Sequence, residues 1–298
     1  MTRKKLVSFA ILLAILLSAA LVLGACAGAQ GPQGSQGATG ERGVPGERGA
    51  QGAPGTGPSQ AEIKALIAEA VRGAPITVSS IARGGRLYDN WVAESKATTP
   101  AANQPLWALQ TTNTRSGIDT WRCKECHGWD YKGKGGAYSK GSHLTGFVGV
   151  YDAGTSKSQE QLLEIMRGAT DSRHDFSKVL DAQSLAELAG FLSSSLVNET
   201  PYIDYSTKKP IGANVTHGAQ LYGGVCAACH GADGKQLNFG SAAAPEYVGT
   251  LALDNPWEFV HKVRYGQPAA TMPSGLVNGW NLQDVTDLLA HAQTLPAK

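Results

Sequence analysis

The chain has 298 residues, 26 of them basic and 24 acidic, for a formal charge of +2. Removal of a leader carrying Arg3, Lys4 and Lys5 would take that charge to −1, and no basic block stands elsewhere, which argues against a nucleic-acid partner. The sequence also has no glycine-rich phosphate loop, no nucleophile–base pair with local support and no paired-carboxylate pattern of the kind that hydrolysis needs.

At the start, Thr2-Arg3-Lys4-Lys5 is a basic segment, Leu6 to Leu23 is an almost unbroken apolar run, and Leu23-Gly24-Ala25-Cys26 closes it. That order predicts a secretory signal over residues 1–25. The small residues before Cys26 resemble a bacterial lipobox, which implies lipidation of Cys26, attachment to a membrane or cell surface, and an extracytoplasmic location. The alternative is an uncleaved membrane anchor, since the run reaches spanning length.

Residues 26–58 form a stalk in which glycine recurs at every third position from Gly31 to Gly55. A strict Gly-X-Y period is the collagen signature, because only glycine fits the axis of three wound polyproline-like chains. Gly40-Glu41-Arg42 and Gly46-Glu47-Arg48 place opposite charges where neighbouring chains pair. At about 3 Å per residue a triple-helical stalk would span roughly 80 Å and make the protein a homotrimer. A flexible linker would need glycine but no strict period. In residues 59–83, Ile63, Leu66, Ile67, Ala70 and Val71 form an apolar helical stripe ending near Gly73 and Pro75. That helix either trimerises beside the stalk or docks on the part of the chain that follows.

The rest of the chain repeats itself. Gly84-Gly85-Arg86-Leu87-Tyr88 matches Gly218-Ala219-Gln220-Leu221-Tyr222, and Cys123-Lys124-Glu125-Cys126-His127 matches Cys226-Ala227-Ala228-Cys229-His230. Met166-Arg167 matches Val263-Arg264, and the amphipathic segment from Ser184 matches that from Asn281. C-x-x-C-H is the attachment signature of c-type haem. Cys123 and Cys126, and Cys226 and Cys229, would add to the haem vinyl groups, with His127 and His230 as proximal iron ligands. Together with Cys26 these motifs account for all five cysteines. A zinc knuckle would need four converging ligands, and a thioredoxin-like pair needs no trailing histidine.

Residues 84–298 thereby resemble class I cytochromes c in tandem. The resemblance implies an all-α fold of two tandem domains, 84–200 and 214–298, joined by a linker at 201–213, with two covalently bound haem c groups. It also implies a distal ligand in the loop before each C-terminal helix. In the second unit Thr271-Met272-Pro273 fits the family pattern and nominates Met272. Aligning Gly168 with Gly266 sets His174 opposite Met272, which predicts a bis-histidine iron in the first unit; Met166 and His143 are the rivals. His217, His261 and His291 read as surface or cap residues. Arg167 and Arg264 are either propionate partners or solvent-facing, and Trp121 is expected to pack on the first haem.

The units differ between tyrosine and motif. Tyr222 lies four residues before Cys226, whereas Tyr88 lies 35 before Cys123, an insert of about 31 residues. It is expected to wrap the haem edge or to form the contact between units. Two saturated irons fit one-electron transfer to a redox partner protein or external acceptor rather than catalysis. The alternative is a dihaem enzyme of the peroxidase or thiosulfate-dehydrogenase kind.

Overall fold

A computed structural model describes residues 76–298. The leader, Cys26, the Gly-X-Y tract and the short helix at 63–71 lie outside the described residues. Among the described residues the elements are helical, with three isolated β-bridges and no strands. None of these helices is long and apolar enough to cross a membrane.

Helix α1 (Val78–Ser95) begins six residues before the boundary expected from the repeat, because Thr77 and Ser80 form a reciprocal capping box. It buries Leu87, Tyr88 and Trp91, is interrupted at Asn90, and stops where Lys96 turns left-handed. The insert contributes two 3₁₀ turns, Pro105–Leu109 and Gly117–Trp121, ahead of α2 (Cys123–His127). Short helices α3 (Tyr151–Ser156) and α4 (Gln159–Met166) come next, and α5 (Ala182–Ser194), capped by Asp181, closes the first unit against α1.

The second unit repeats this plan. Helix α6 (Val215–Leu221) runs through a π-helical turn (Tyr222–Cys226) into α7 (Ala227–His230). Helices α8 (Val248–Asp254) and α9 (Pro256–Tyr265) lead to α10 (Leu282–Ala292), which crosses α6.

One glycine sets each crossing. A Cβ at Gly84 would collide with the Glu187 carbonyl, and one at Gly218 with the Asp287 carbonyl. Only a bare Cα lets the helices approach so closely. The N-caps Asp181 and Asn281 occupy the same place in each unit. Cap and crossing together pair Glu187 with Asp287 and Leu188 with Leu288. The sequence match that begins at Ser184 and Asn281 is therefore three residues out of register, almost one helical turn, which an amphipathic stripe alone does not distinguish.

Each unit has its own core, and the two cores interlock. Tyr265 of α9 lies in the first, while Trp129 and Tyr138 lie in the second. The segment 201–213, expected as a linker, is itself docked: Ile203 is buried and bridges to Pro210, and Tyr205 packs on Trp257.

Candidate functional site

In α2 the thiols of Cys123 and Cys126 lie three residues apart on one helical face, both free and half-buried. Burial pushes each up to about 12. A redox-active pair needs the opposite, a depressed thiol beside positive charge or a helix N-terminus. No group of three or more His, Cys, Asp or Glu side chains converges as a metal site among the described residues.

His127 sits on the same turn. Its Nδ1 stands 2.7 Å from the Val148 carbonyl, which can only accept, so Nδ1 carries the proton and Nε2 keeps its lone pair. Burial, reinforced by His174, lowers its pKa to about 4 and keeps the ring neutral. His174, in the 3₁₀ turn Ser172–His174, is arranged the same way, with Nδ1 at 3.3 Å from the Ile165 carbonyl and its pKa lowered by burial. A hydrogen bond at one ring nitrogen that frees the other is the usual arrangement of a metal-ligating imidazole.

The two rings face one another at 6.3 Å between centroids, inclined at 81°. A ligating imidazole nitrogen lies about 2 Å from a transition metal, so two rings on opposite sides of one ion stand roughly 6 Å apart. The spacing of His127 and His174 is the one that two imidazoles holding a single iron would need, and the free thiols of Cys123 and Cys126 lie on the same turn as His127. His143 instead stacks on Tyr138 at 4.6 Å, and Met166 is buried in the first core.

A chain of aromatic rings runs from His174. Phe176 meets it at 5.1 Å, and Trp121 meets Phe176 at 5.9 Å and Trp91 at 6.3 Å. Phe176 escaped sequence reading because a lone aromatic in a polar loop carries no period. The residues between the cysteines are unusual too. Lys124 and Glu125 are buried and paired. Burial would raise Glu125, but His143 and Lys124 outweigh it and bring the carboxyl to about 2.

The second motif is more open. Cys226 is half-buried, its thiol pushed up to about 11 by burial and by Cys229, which is itself exposed. His230 has its pKa lowered by burial, its Nδ1 is buried without a partner, and its ring meets Phe239 at 5.7 Å. Met272 lies half-buried against the second core, as do Cys226 and Trp280, with its carbonyl over Gly266. The π turn that delivers Cys226 has open space at Gly223 and Gly224; such bulges in helices concentrate at functional sites.

Backbone detail repeats in both motifs. Tyr88 and Tyr222 donate to the carbonyls of Gly128 and Gly231, at 2.6 and 2.8 Å. Those glycines share a left-handed conformation, φ 80° and 79°, that lets the chain turn directly after each histidine. The arginines do not repeat. Arg167 pairs with Glu164 at 3.2 Å and leaves Nη2 buried without a partner, whereas Arg264 meets the Tyr265 hydroxyl.

His261 corrects the sequence reading. It is wholly buried between the units, with Nε2 donating to the Gly85 carbonyl at 2.9 Å and Nδ1 accepting from the Tyr131 hydroxyl at 2.8 Å. Beside it Asp89, also fully buried, binds Lys262 at 2.7 Å and Arg122. These contacts join the units, and the start of the insert takes part through Asp89 and through Glu94, which accepts from Ala269 N–H at 3.1 Å; the rest of the insert turns onto the first motif and its distal loop. Of the other two histidines, His217 caps against Asp287 at 2.9 Å and His291 packs on Tyr222.

Residues 213–291 match the family model described as Cytochrome C oxidase, cbb3-type, subunit III. Comparison with curated proteins and with solved structures found no match. Residues 213–291 thus correspond to a cytochrome c domain, which implies covalently bound haem c and supports haem-based electron transfer.

Proposed function

We propose that the chain is a dihaem c-type cytochrome, held outside the cytoplasm by a lipid on Cys26, that passes single electrons between redox partners. The observation that carries this reading is the opposed pair His127 and His174 beside the free thiols of Cys123 and Cys126. It supports a second haem in a unit that the family model does not cover. In this reading Cys123, Cys126, Cys226 and Cys229 hold two haem c groups, His127 and His174 ligate the first iron, and His230 and Met272 the second.

Haem supplies the one-electron chemistry when bound. The chain's own residues set its terms. The Val148 and Ile165 carbonyls fix the tautomers of His127 and His174, so each presents Nε2. Phe176 packs on the edge of His174 and is itself braced by Trp121 and Trp91, which limits how the ring can move. A thioether at Met272 favours reduced iron more than an imidazole does, so the second site should have the higher potential. Redox titration tests this directly. Two resolved one-electron steps are expected, with the near-infrared thioether–iron band lost in Met272→Ala and kept in His174→Ala. Enzymatic turnover of peroxide or thiosulfate by the purified protein would overturn the carrier reading.

The Gly-X-Y tract is proposed as a trimerising stalk, which would give six haems per assembly. A monomeric mass for the intact ectodomain in light scattering would contradict it.

A further inference from the structure

The insert before Cys123 is a closed, self-bonded structure. Trp107 is buried, and its Nε1 donates to the Arg115 carbonyl at 3.0 Å. Trp121 Nε1 reaches the Ala102 carbonyl at 2.7 Å. From this body three arms reach the first site. Gln104 Nε2 donates to the Arg173 carbonyl at 2.8 Å, one residue before His174, and the turn Pro105–Leu109 packs on the turn Ser172–His174. Thr112 and Arg115 donate to the Leu144 and Ser142 carbonyls at 2.6 and 3.3 Å, on the loop after the motif. Arg115 also lies 3.5 Å from Glu125, inside the motif itself.

Gln104 is the best anchored of these. It is almost fully buried, and its side-chain amide is engaged at both ends. Its Oε1 accepts from Leu106 N at 2.6 Å, and its backbone N–H donates to the Thr120 hydroxyl at 2.9 Å. Thr120 in turn donates to the Gly117 carbonyl at 2.7 Å. The side-chain amide is thus held from behind while its free end grips the distal loop. The His174 ring has one long hydrogen bond, 3.3 Å to the Ile165 carbonyl, while its backbone N–H closes a turn of three residues on the Asp171 carbonyl at 2.8 Å. Segments with few buried contacts open most easily, so the orientation of the ring depends on what packs against the turn.

From this arrangement we infer that the insert is a clamp on the sixth coordination position of the first haem, with Gln104 as its positioning residue. The inference rests on the bis-histidine reading of that haem. The second unit has no such insert between Tyr222 and Cys226, so its distal loop lacks this support.

The test is carbon monoxide binding to the reduced, haem-loaded protein by stopped flow, with the potential of each haem measured alongside. Gln104→Leu keeps the volume and removes the amide. It should speed carbon monoxide binding at the first haem at least tenfold and shift that haem's potential, while the second haem's spectrum and potential stay unchanged. Gln104→Asn is the milder variant. Its amide is one methylene, about 1.5 Å, too short to reach Arg173, and it should move the same readouts in the same direction by less. Equal binding rates and first-haem potentials in the parent and both variants would overturn the clamp. So would equal changes at both haems, which would mark a general loosening of the fold. His174→Ala separates the two levels of inference. If it opens the first iron while the Gln104 variants change nothing, the clamp fails and the ligand assignment stands. If it leaves the first haem six-coordinate, both fail.

Discussion

Gly84 in the first unit and Gly218 in the second permit the same helix crossing, and Tyr88 and Tyr222 brace the same turn after each motif. Around that common frame the two units diverge. The first buries Lys124 and Glu125 between its cysteines, roofs its distal loop with an insert and brings two imidazoles to 6.3 Å, nearly perpendicular. The second has alanines between its cysteines, leaves Cys229 exposed and offers the half-buried Met272. The comparison separates what attachment requires from what tunes a site. The frame is needed in both units, while the dressing that sets solvent access and ligand type is free to differ.

The largest effects should come from breaking the common frame. Gly84→Val or Gly218→Val forces a branched side chain into a neighbouring backbone carbonyl, and each should cost at least about 3 kcal/mol of stability in chemical denaturation. If Gly218→Val is tolerated while Gly84→Val is not, the two crossings are not equivalent.

The contact between units should yield to acid. Burial is the main cause that lowers His261 to about 4, so the folded state prefers the neutral ring. Its folded pKa lies below the unfolded value, so this stabilisation is complete above pH 6.5 and is lost as pH falls from there to about 4. The loss should approach roughly 3 kcal/mol. Denaturation midpoints measured across that window should fall steeply in the parent and flatten in His261→Phe.

Glu199 should show the opposite sign. It is buried with neither carboxylate oxygen partnered, and burial, then Asp130, raises its pKa well above the usual carboxylate range. A raised acid costs stability as pH climbs above its unfolded value, by up to about 1.4 kcal/mol per pH unit until the folded pKa is reached. Glu199→Gln should therefore stabilise the protein, more at pH 8 than at pH 5. Equal effects at both would show that the carboxyl is charged in the folded state.

The smallest effect is expected at the outer arm of the insert. Thr112→Val removes one exposed hydrogen bond to Leu144 and should cost about 0.5–1 kcal/mol in thermal unfolding.

Much of this was legible in the sequence. The paired C-x-x-C-H motifs and the Gly84 and Gly218 segments rest on local spacing, which survives folding unchanged, and aligning Gly168 with Gly266 singled out His174, whose ring lies 6.3 Å from that of His127. What spacing could not reveal was long-range. His261 reads as one more residue on a helix face until Gly85 and Tyr131, more than a hundred residues away, close over it. The three-residue slip between α5 and α10 has a related cause, since a repeating apolar stripe marks a face and not a register. Gln104 had no signal at all, because an isolated glutamine in a loop acquires its meaning only from the carbonyl it meets.

The central claim is that the first unit, like the second, holds a covalent haem. The mass of the intact, secreted protein tests it most directly, measured for the parent and for the Cys123→Ser, Cys126→Ser double variant. Two haems on the parent and one on the variant are predicted, with the remaining haem on the peptide that contains Cys226 and Cys229. A parent chain carrying a single haem, or a double variant carrying as many as the parent, would contradict the account.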